Sequence, residues 1–149
     1  MKLQFKQQQF QLDAVASVVD VFAGQGNHSG FDYQMDKGQG ADAELDMNFI
    51  GFRNAPIQLS EDIISQQVRT QQLRHGLKPS ETLSVQEVNG RLSYNLTIEM
   101  ETGTGKTYTY IRTLMELNKQ YGWLKFIIMV PSIAIREGVL KSFEIMADH

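Results

Sequence analysis

The first apolar pattern along the chain has helical spacing. From residue 10 to residue 22, one face of the predicted helix collects four apolar side chains: Phe10, Ala14, Val18 and Val21. Gly24 and Gly26 follow, and glycines in this place are typical of a helix end. We therefore expect a first helix that turns this face toward a core.

A second helix is predicted over residues 60–75. Ser60 is a candidate N-cap residue, and two acidic residues follow it in the first turn, where the helix dipole favours negative charge. Gly76 is placed to end this helix. Between the two helices, residues 24–48 are polar and rich in glycine, which indicates a long loop, with a short strand at residues 48–53.

A pattern with the period of a β-strand comes next. Its first arm holds Leu83, Val85 and Val88, and the Asn-Gly pair at residues 89–90 is a strong signal for a two-residue turn. The second arm carries alternating apolar side chains: Leu92, Tyr94, Leu96, Ile98 and Met100. The pattern predicts an antiparallel hairpin whose second strand leads directly into residues 101–107.

Two more helices and one buried strand are predicted after the hairpin. The first helix covers residues 106–120, and its inward residues are expected to be Ile111, Leu114, Met115 and Asn118. Residues 125–130 (KFIIMV) form a continuous apolar run, which is typical of a strand buried on both faces of a parallel sheet. A last helix begins after Ser132, with the following inward residues: Ile135, Val139, Phe143 and Met146.

The order of the predicted elements indicates the fold class. From residue 91 the chain reads strand, glycine-rich loop, helix, strand, helix, which predicts a βαβα unit over residues 91–149 with a right-handed crossover. We therefore expect an α/β fold with a mainly parallel sheet flanked by helices. The hairpin and a loop-rich insertion at residues 24–80 are added to it.

Composition narrows the classes of function. The chain has 149 residues, of which 42% are hydrophobic, so it is about one domain long and can bury a core. Its formal net charge of −3 argues against a domain held on nucleic acid mainly by charge, so any DNA contact must be local. The absence of cysteine excludes disulfides and thiolate metal sites. No segment has the pattern of a signal peptide or a membrane span, so a soluble cytoplasmic protein is our default expectation.

The segment GTGKT carries the clearest chemical signal. Gly103 and Gly105 allow the backbone to turn tightly and to approach phosphate oxygens without an intervening Cβ. The amides of Thr104 to Thr107 would then point at an anion, at the positive end of the following helix. Lys106 would supply a cation for the β- and γ-phosphates, and Thr107 a hydroxyl ligand for Mg²⁺. The segment therefore predicts an ATP site in which these five residues bind the cofactor and Lys106 is catalytic.

One position departs from the general pattern of such loops. The pattern begins with a glycine, separated by four residues from the Gly-Lys pair, and this chain has Met100 there. The shorter core of the pattern is intact, and the predicted strand before it and helix after it are the context that a phosphate loop needs. The alternative is a tight strand–helix turn that happens to hold a lysine and a threonine.

Four other residues are candidates with a plain structural alternative. Gln11 offers an amide donor and acceptor side by side, which matches the N6/N7 edge of adenine, although it is also one of several glutamines in a polar start. Pro131, Ser132 and Arg136 follow the predicted buried strand, where ligand sites form in parallel sheets, and they would contact DNA phosphates there. The alternative is that Ser132 caps a helix and Arg136 is solvated.

The sequence resembles the Res subunit of type III restriction-modification enzymes, which belongs to the superfamily 2 helicases. The likeness is close over residues 95–144, where it includes the segments ETGTGKTY, KFII and VPSIAIREGV. It extends to the start of the chain, where Phe10 and Gln11 fit the family's pattern. Residues 24–90 match only loosely.

The resemblance implies a motor of two RecA-like domains followed by a nuclease domain, with residues 1–149 as the N-terminal part of the first motor domain. It implies ATP-dependent movement on double-stranded DNA, a methyltransferase (Mod) partner subunit, and the activity of an ATP-dependent type III site-specific deoxyribonuclease. It also implies that residues 103–107 are helicase motif I, that residues 130–136 are the DNA-contacting motif Ia, and that Gln11 senses adenine.

The chain ends before the acidic pair of motif II, so we expect a fragment that binds nucleotide weakly without turning it over. Appreciable ATPase activity that Lys106→Ala abolishes would contradict this expectation. Two alternatives stay open: another superfamily 2 DNA helicase or translocase without a nuclease, and a stand-alone nucleotide-binding module. The sequence beyond residue 149 would separate them, since only the restriction enzyme requires a carboxylate-lysine nuclease site.

Overall fold

A computed structural model of the chain describes residues 8–27, 34–36, 51–88 and 91–147. The elements, in chain order, are α1 (Gln9–Asp20), β1 (Gln34–Asp36), β2 (Gly51–Arg53), α2 (Glu61–Arg74), β3 (Ser84–Val88), β4 (Arg91–Asn95), α3 (Lys106–Tyr121) and α4 (Ile133–Ala147). The four helices predicted from periodicity are confirmed, with ends that differ by one or two residues. The predicted strand at residues 48–53 is confirmed over residues 51–53 as β2, which pairs with β1, and residues 48–50 lie outside the described part of the chain. Most of the predicted long loop over residues 24–48 lies outside it as well.

The helix ends follow the local chemistry of the sequence. The hydroxyl oxygen of Ser60 accepts a hydrogen bond from the backbone N–H of Ile63 at 3.4 Å, so the predicted N-cap of α2 is confirmed. Gly122 ends α3 in the left-handed conformation, with φ of 71°, which a residue with a Cβ adopts only at a cost.

The predicted hairpin is confirmed for its first arm and for the start of its second. Strands β3 and β4 are antiparallel, and Val88 pairs with Arg91, which is the register that a two-residue turn requires. The turn residues 89–90 themselves lie outside the described part of the chain. The second strand ends at Asn95, so residues 96–100 lead to residue 101 without regular structure.

Helices α1 and α3 form the core and run side by side in the same direction. Near their ends, the hydroxyl of Tyr121 donates a hydrogen bond to the carbonyl of Val19 at 2.9 Å. The buried cluster contains the following side chains: Val15, Val19, Leu117, Tyr121 and Trp123. The ring of Phe22 packs edge-on against the ring of Trp123, with 5.1 Å between centroids. This pair of helices is therefore one packed unit.

The predicted inward faces of these helices need correction. Val15 and Val19 of α1 meet α3, whereas Phe10 is 49% exposed. In α3 the predicted Ile111 is fully buried, but Met115 is 44% exposed. A second buried stripe, which the sequence analysis did not predict, runs along the helix at intervals of four residues: Thr109, Thr113, Leu117 and Tyr121. Helix α1 has two apolar stripes, and its sequence alone does not say which of them faces the aromatic cluster on α3.

The predicted face of α1 lines a cleft: Val21 at its end is buried as predicted, whereas Ala14 and Val18 are only partly buried. This cleft of about 1080 Å³ lies between α1, α2 and residues 95–101, and Phe10, Ala14, Val18 and Val21 contribute to its wall. At its rim the hydroxyl oxygen of Ser17 lies 2.7 Å from Nε2 of His75, which links α1 to α2.

The parallel sheet that the sequence predicted is absent from the described residues. Their strands form two separate two-stranded antiparallel sheets, and residues 125–130 have no regular structure. The side chains of Ile127 and Met129 are 92% and 90% exposed, so the prediction of a strand buried on both faces is wrong here. A strand needs a neighbour to satisfy its backbone groups, and the described residues supply none beside this segment. Of the predicted βαβα unit, the described residues contain the two helices, α3 and α4, and the start of the first strand, as β4.

Helix α4 begins as predicted but is less buried than its apolar pattern suggested. Val139 is its buried residue, and Phe143 and Met146 are partly buried, whereas Ile135 is 48% exposed. The helix packs on α3 at this point. The prediction that Ile135 faces inward is therefore wrong.

Candidate phosphate-binding loop

Two glycines shape the segment that leads into α3. Gly103 and Gly105 have φ of 81° and 87°, both in the left-handed region that favours glycine. Gly105 is the N-cap residue of α3, and Lys106 is the first residue of the helix. The glycines therefore place the loop directly on the positive end of a 16-residue helix, as the sequence predicted.

The Lys106 ammonium folds back over the start of the loop. Its Nζ donates hydrogen bonds to the backbone carbonyls of Met100 and Glu101, the latter at 2.8 Å. The hydroxyl of Thr104 donates to the same Glu101 carbonyl at 2.6 Å. The residue that stands where the general pattern has glycine thus contributes its backbone carbonyl, which any residue can supply. This explains how the loop accommodates Met100.

Gln11 lies against the loop although 93 positions separate it from Thr104. Its Nε2 donates a hydrogen bond to the Thr104 carbonyl at 2.8 Å, and its Oε1 accepts one from the backbone N–H of Gln8 at 3.4 Å. The structure therefore brings Gln11 together with the loop that the sequence singled out. The alternative of a free, solvated glutamine does not hold.

The hydroxyl of Thr107 suits the metal role that the sequence suggested. Thr107 is the second residue of α3 and is partly buried, and no hydrogen bond to its hydroxyl comes from the described residues. A threonine hydroxyl is a hard oxygen donor of the kind that Mg²⁺ prefers, with phosphate oxygens and water as its further ligands. Within the described ranges, no group of three or more histidine or acidic side chains is placed to hold a metal ion by itself.

The three predicted DNA-binding residues lie at the start of α4. The Ser132 hydroxyl oxygen accepts a hydrogen bond from the backbone N–H of Ile135 at 3.3 Å, which is a helix cap. The Arg136 guanidinium is exposed and lies 3.0 Å from the Glu137 carboxylate. Pro131 is also exposed. The structural alternative for Ser132 is thus realised, and a cap hydroxyl and an exposed arginine remain accessible to a phosphate.

The contacts to backbone carbonyls are what the sequence analysis missed. The carbonyls of Met100, Glu101 and Thr104 hold Lys106 and Gln11 in place, and a backbone carbonyl leaves no signal in the sequence.

In the parts of the chain that the structure describes, no helix combines the length and the apolar character needed to cross a membrane.

Comparison with known proteins places this loop in a family. The family model of the type III restriction enzyme, Res subunit, matches residues 54–149, which is more than half of the chain. The Res subunit of the type III restriction-modification enzyme EcoP15I from Escherichia coli is 38% identical over 87 residues, covering 58% of this chain and 8% of that protein. The EcoPI Res subunit from Escherichia phage P1 is 46% identical over 65 residues, covering 38% of this chain and 7% of that protein.

A third relative shows the same relation. The StyLTI Res subunit from Salmonella typhimurium is 54% identical over 44 residues, covering 30% of this chain and 4% of that protein. The chain thus spans less than a tenth of the length of the curated relatives that it matches. Because the family model covers most of its length, this chain belongs to the family of type III restriction enzyme Res subunits.

Proposed function

We propose that this chain is the ATP-binding part of the first RecA-like motor domain of a type III restriction enzyme. In the longer protein, ATP hydrolysis would drive movement along double-stranded DNA and lead to its cleavage. The observation that carries the proposal is the geometry of the loop. Gly103 and Gly105 both have positive φ, and the loop leads directly into the first turn of α3, where Lys106 lies. Backbone amides at a helix N-terminus form an anion site of the kind that holds nucleotide phosphates.

Each residue of the loop has a proposed role. Gly103, Thr104 and Gly105 would present backbone amides to the phosphate oxygens. Lys106 would leave its carbonyl partners and move its ammonium onto the β- and γ-phosphates, where it offsets charge that develops during phosphoryl transfer. Thr107 would hold Mg²⁺, which supplies charge neutralisation between the β- and γ-phosphates.

Gln11 has spare capacity to recognise the base. An amide nitrogen carries two hydrogens and an amide oxygen accepts two hydrogen bonds, and the contacts to Thr104 and Gln8 use one of each. The remaining pair matches the N6/N7 edge of adenine. Gln11 would therefore favour ATP over GTP without giving up its contact with the loop.

Two apolar segments without regular structure support a place in a larger sheet. Residues 96–100 and 125–130 have no strand partner among the described residues, and both are rich in apolar side chains. We propose that both become strands of the mainly parallel sheet of the motor domain when they pair within the longer Res polypeptide. Residues 91–149 would then form the βαβα unit, and residues 24–80 the insertion before it.

The DNA and partner roles follow from the family. The curated relatives are Res subunits of restriction-modification enzymes, so a Mod methyltransferase subunit is the proposed partner of the longer protein. Pro131, Ser132 and Arg136 would contact DNA phosphates through the cap of α4. A few local contacts suit a chain whose net charge is −3.

Nucleotide binding by the 149-residue chain tests this function. We expect the chain to bind a fluorescent ATP analogue with Mg²⁺, and Lys106→Ala to weaken that binding at least about tenfold, because a charge-assisted contact to phosphate is lost. Lys119→Ala, at the other end of α3, is the matched control and should bind as wild type. Equal affinities for wild type and Lys106→Ala, or no binding by wild type, would rule out the proposed site.

A further inference from the structure

We propose that Gln11 is a positioning residue that braces the phosphate loop through the Thr104 carbonyl, whether or not a base is bound. The inference rests on the proposed function, since it assumes that the loop holds phosphates. It separates two roles for one side chain: recognition of adenine, and orientation of the backbone amides that bind the phosphates.

The contact between Gln11 and the loop is tight. Besides the 2.8 Å hydrogen bond to the Thr104 carbonyl, Nε2 of Gln11 fills the space beside Gly105, where an added Cβ would lie 2.5 Å from it. An added Cβ on Gly103 would meet nothing within 4 Å. Both glycines allow the positive φ that the turn requires, and only Gly105 also makes room for the Gln11 side-chain amide.

The hydrogen bond from Gln11 also fixes the direction of a neighbouring backbone N–H group, because of the geometry of the peptide bond. The bond between Thr104 and Gly105 is trans, so its C=O and N–H groups lie in one plane and point in opposite directions. Because Gln11 holds the Thr104 carbonyl on the side of α1, the Gly105 N–H points away from α1. This N–H is one of the donors that the anion site needs. Gln11 therefore fixes the direction of a phosphate donor that it does not itself touch.

The helix that carries Gln11 is held firmly in place. Gln11 belongs to α1, and α1 is held on α3 by the buried pair Val15 and Val19. The Tyr121 hydroxyl ties the far end of the same two helices together. The loop leads into α3, so α1 spans the helix pair from the loop to Tyr121. A side chain on such a support can hold a carbonyl in place without help from a ligand.

A ligand without a base distinguishes the two roles. We would titrate the ¹⁵N-labelled 149-residue chain with ATP and, separately, with tripolyphosphate, both with Mg²⁺, and follow the amide signal of Gly105. Gln11→Met keeps the size of the side chain and removes its N–H donor. Gln9→Met is the matched control, because Gln9 lies on the same helix and bonds only to Asp13 in the described contacts.

We expect Gln11→Met to raise the Kd for tripolyphosphate about fivefold to tenfold, the scale of one lost hydrogen bond, and the Kd for ATP by at least as much, because its contacts with adenine are lost as well. The Gly105 amide signal should shift in the free variant, and Gln9→Met should behave as wild type. If Gln11→Met does not fold, Gln11→Asn, which is polar but too short to reach Thr104, should show the same loss.

Other outcomes overturn the inference in distinguishable ways. Weaker binding of ATP with unchanged binding of tripolyphosphate would make Gln11 a base-recognition residue only, and unchanged binding of both would remove it from the site. Binding of ATP by wild type with no binding of tripolyphosphate would show that the loop does not hold phosphates independently of the base. Binding of neither ligand would overturn the proposed function as well.

Discussion

The two glycines of the loop differ in what surrounds them, although both have positive φ. Gly103→Ala should lower the unfolding free energy by about 1–2 kcal/mol, which is the cost of placing an L-residue in the left-handed region. Gly105→Ala carries the same cost and also pushes the Gln11 amide off the Thr104 carbonyl, because the added Cβ would lie 2.5 Å from Nε2. That displacement should add about 1 kcal/mol, the value of one hydrogen bond.

Urea denaturation of the two variants, each with Gln11 and with Gln11→Ala, measures this difference. The additional loss in Gly105→Ala should vanish in the Gln11→Ala background, while the loss in Gly103→Ala should be the same in both. A penalty for Gly105→Ala that persists without the Gln11 side chain would mean that conformational strain alone requires glycine there.

At the level of single residues, the sequence predicted the loop and missed its support. Gly103, Gly105, Lys106 and Thr107 are adjacent, so a local motif with a known physical role is sufficient to find them. The contact of Gln11 with Thr104 bridges 93 positions and ends on a backbone carbonyl. Nothing in the local sequence encodes such a contact, and only the packing of α1 on α3 brings the two together.

At the level of elements, the hydroxyl of Tyr121 joins α3 to α1. The same hydroxyl makes the unfolding free energy depend on pH in the alkaline range. Burial, and to a smaller extent the charge of Asp20, raises the pKa of Tyr121 above its ordinary value of 10.0. Between that value and the raised pKa, the unfolded chain loses this proton while the folded chain keeps it. The unfolding free energy therefore falls as the pH rises above about 10.

Urea denaturation followed by the fluorescence of Trp123 tests this dependence. Tyr121→Phe should lose about 1 kcal/mol at pH 7, because the Val19 carbonyl loses one of its donors, and should show a smaller decline than wild type above about pH 10. Tyr94→Phe, on the hairpin, is the control for hydroxyl removal at pH 7 and should change stability little. An equal alkaline decline in wild type and Tyr121→Phe would exclude Tyr121 as its source.

The helices could be predicted from the sequence and the sheet could not, because helices and strands satisfy their backbone hydrogen bonds in different ways. A helix satisfies its backbone within one segment, so periodicity and caps such as Ser60 are sufficient to place it. A strand depends on a partner that is distant in sequence. Instead of a strand, the Asn54 side chain meets the segment after α3: it accepts from the N–H groups of Leu124 and Lys125 at 2.9 and 2.8 Å and donates to the Lys125 carbonyl. One amide thus takes the place of a neighbouring strand at the start of residues 124–130.

At the level of the whole molecule, residues 126–130 form an apolar stretch whose backbone groups have no hydrogen-bond partner among the described residues. Asn54 bonds only to the two residues before this stretch, Leu124 and Lys125, and the side chains of Ile127 and Met129 are almost fully exposed. Helix α4 exposes Ile133 nearby in sequence, at 74%, but this residue has helical backbone and so offers no strand edge. An extended apolar segment with free backbone groups invites pairing with another strand, whereas an apolar residue on a helix does not.

The isolated 149-residue chain should therefore self-associate through this segment as its concentration rises. Ile127→Lys and Met129→Lys should shift the chain toward monomer in size-exclusion chromatography with light scattering, since charges on an edge oppose pairing. Because both side chains are exposed, the unfolding free energy should change by less than about 0.5 kcal/mol. Ile133→Lys removes a comparably exposed apolar side chain from a helix and should reduce association less. A wild-type chain that stays monomeric, or an equal effect of Ile133→Lys, would show that strand pairing is not the cause.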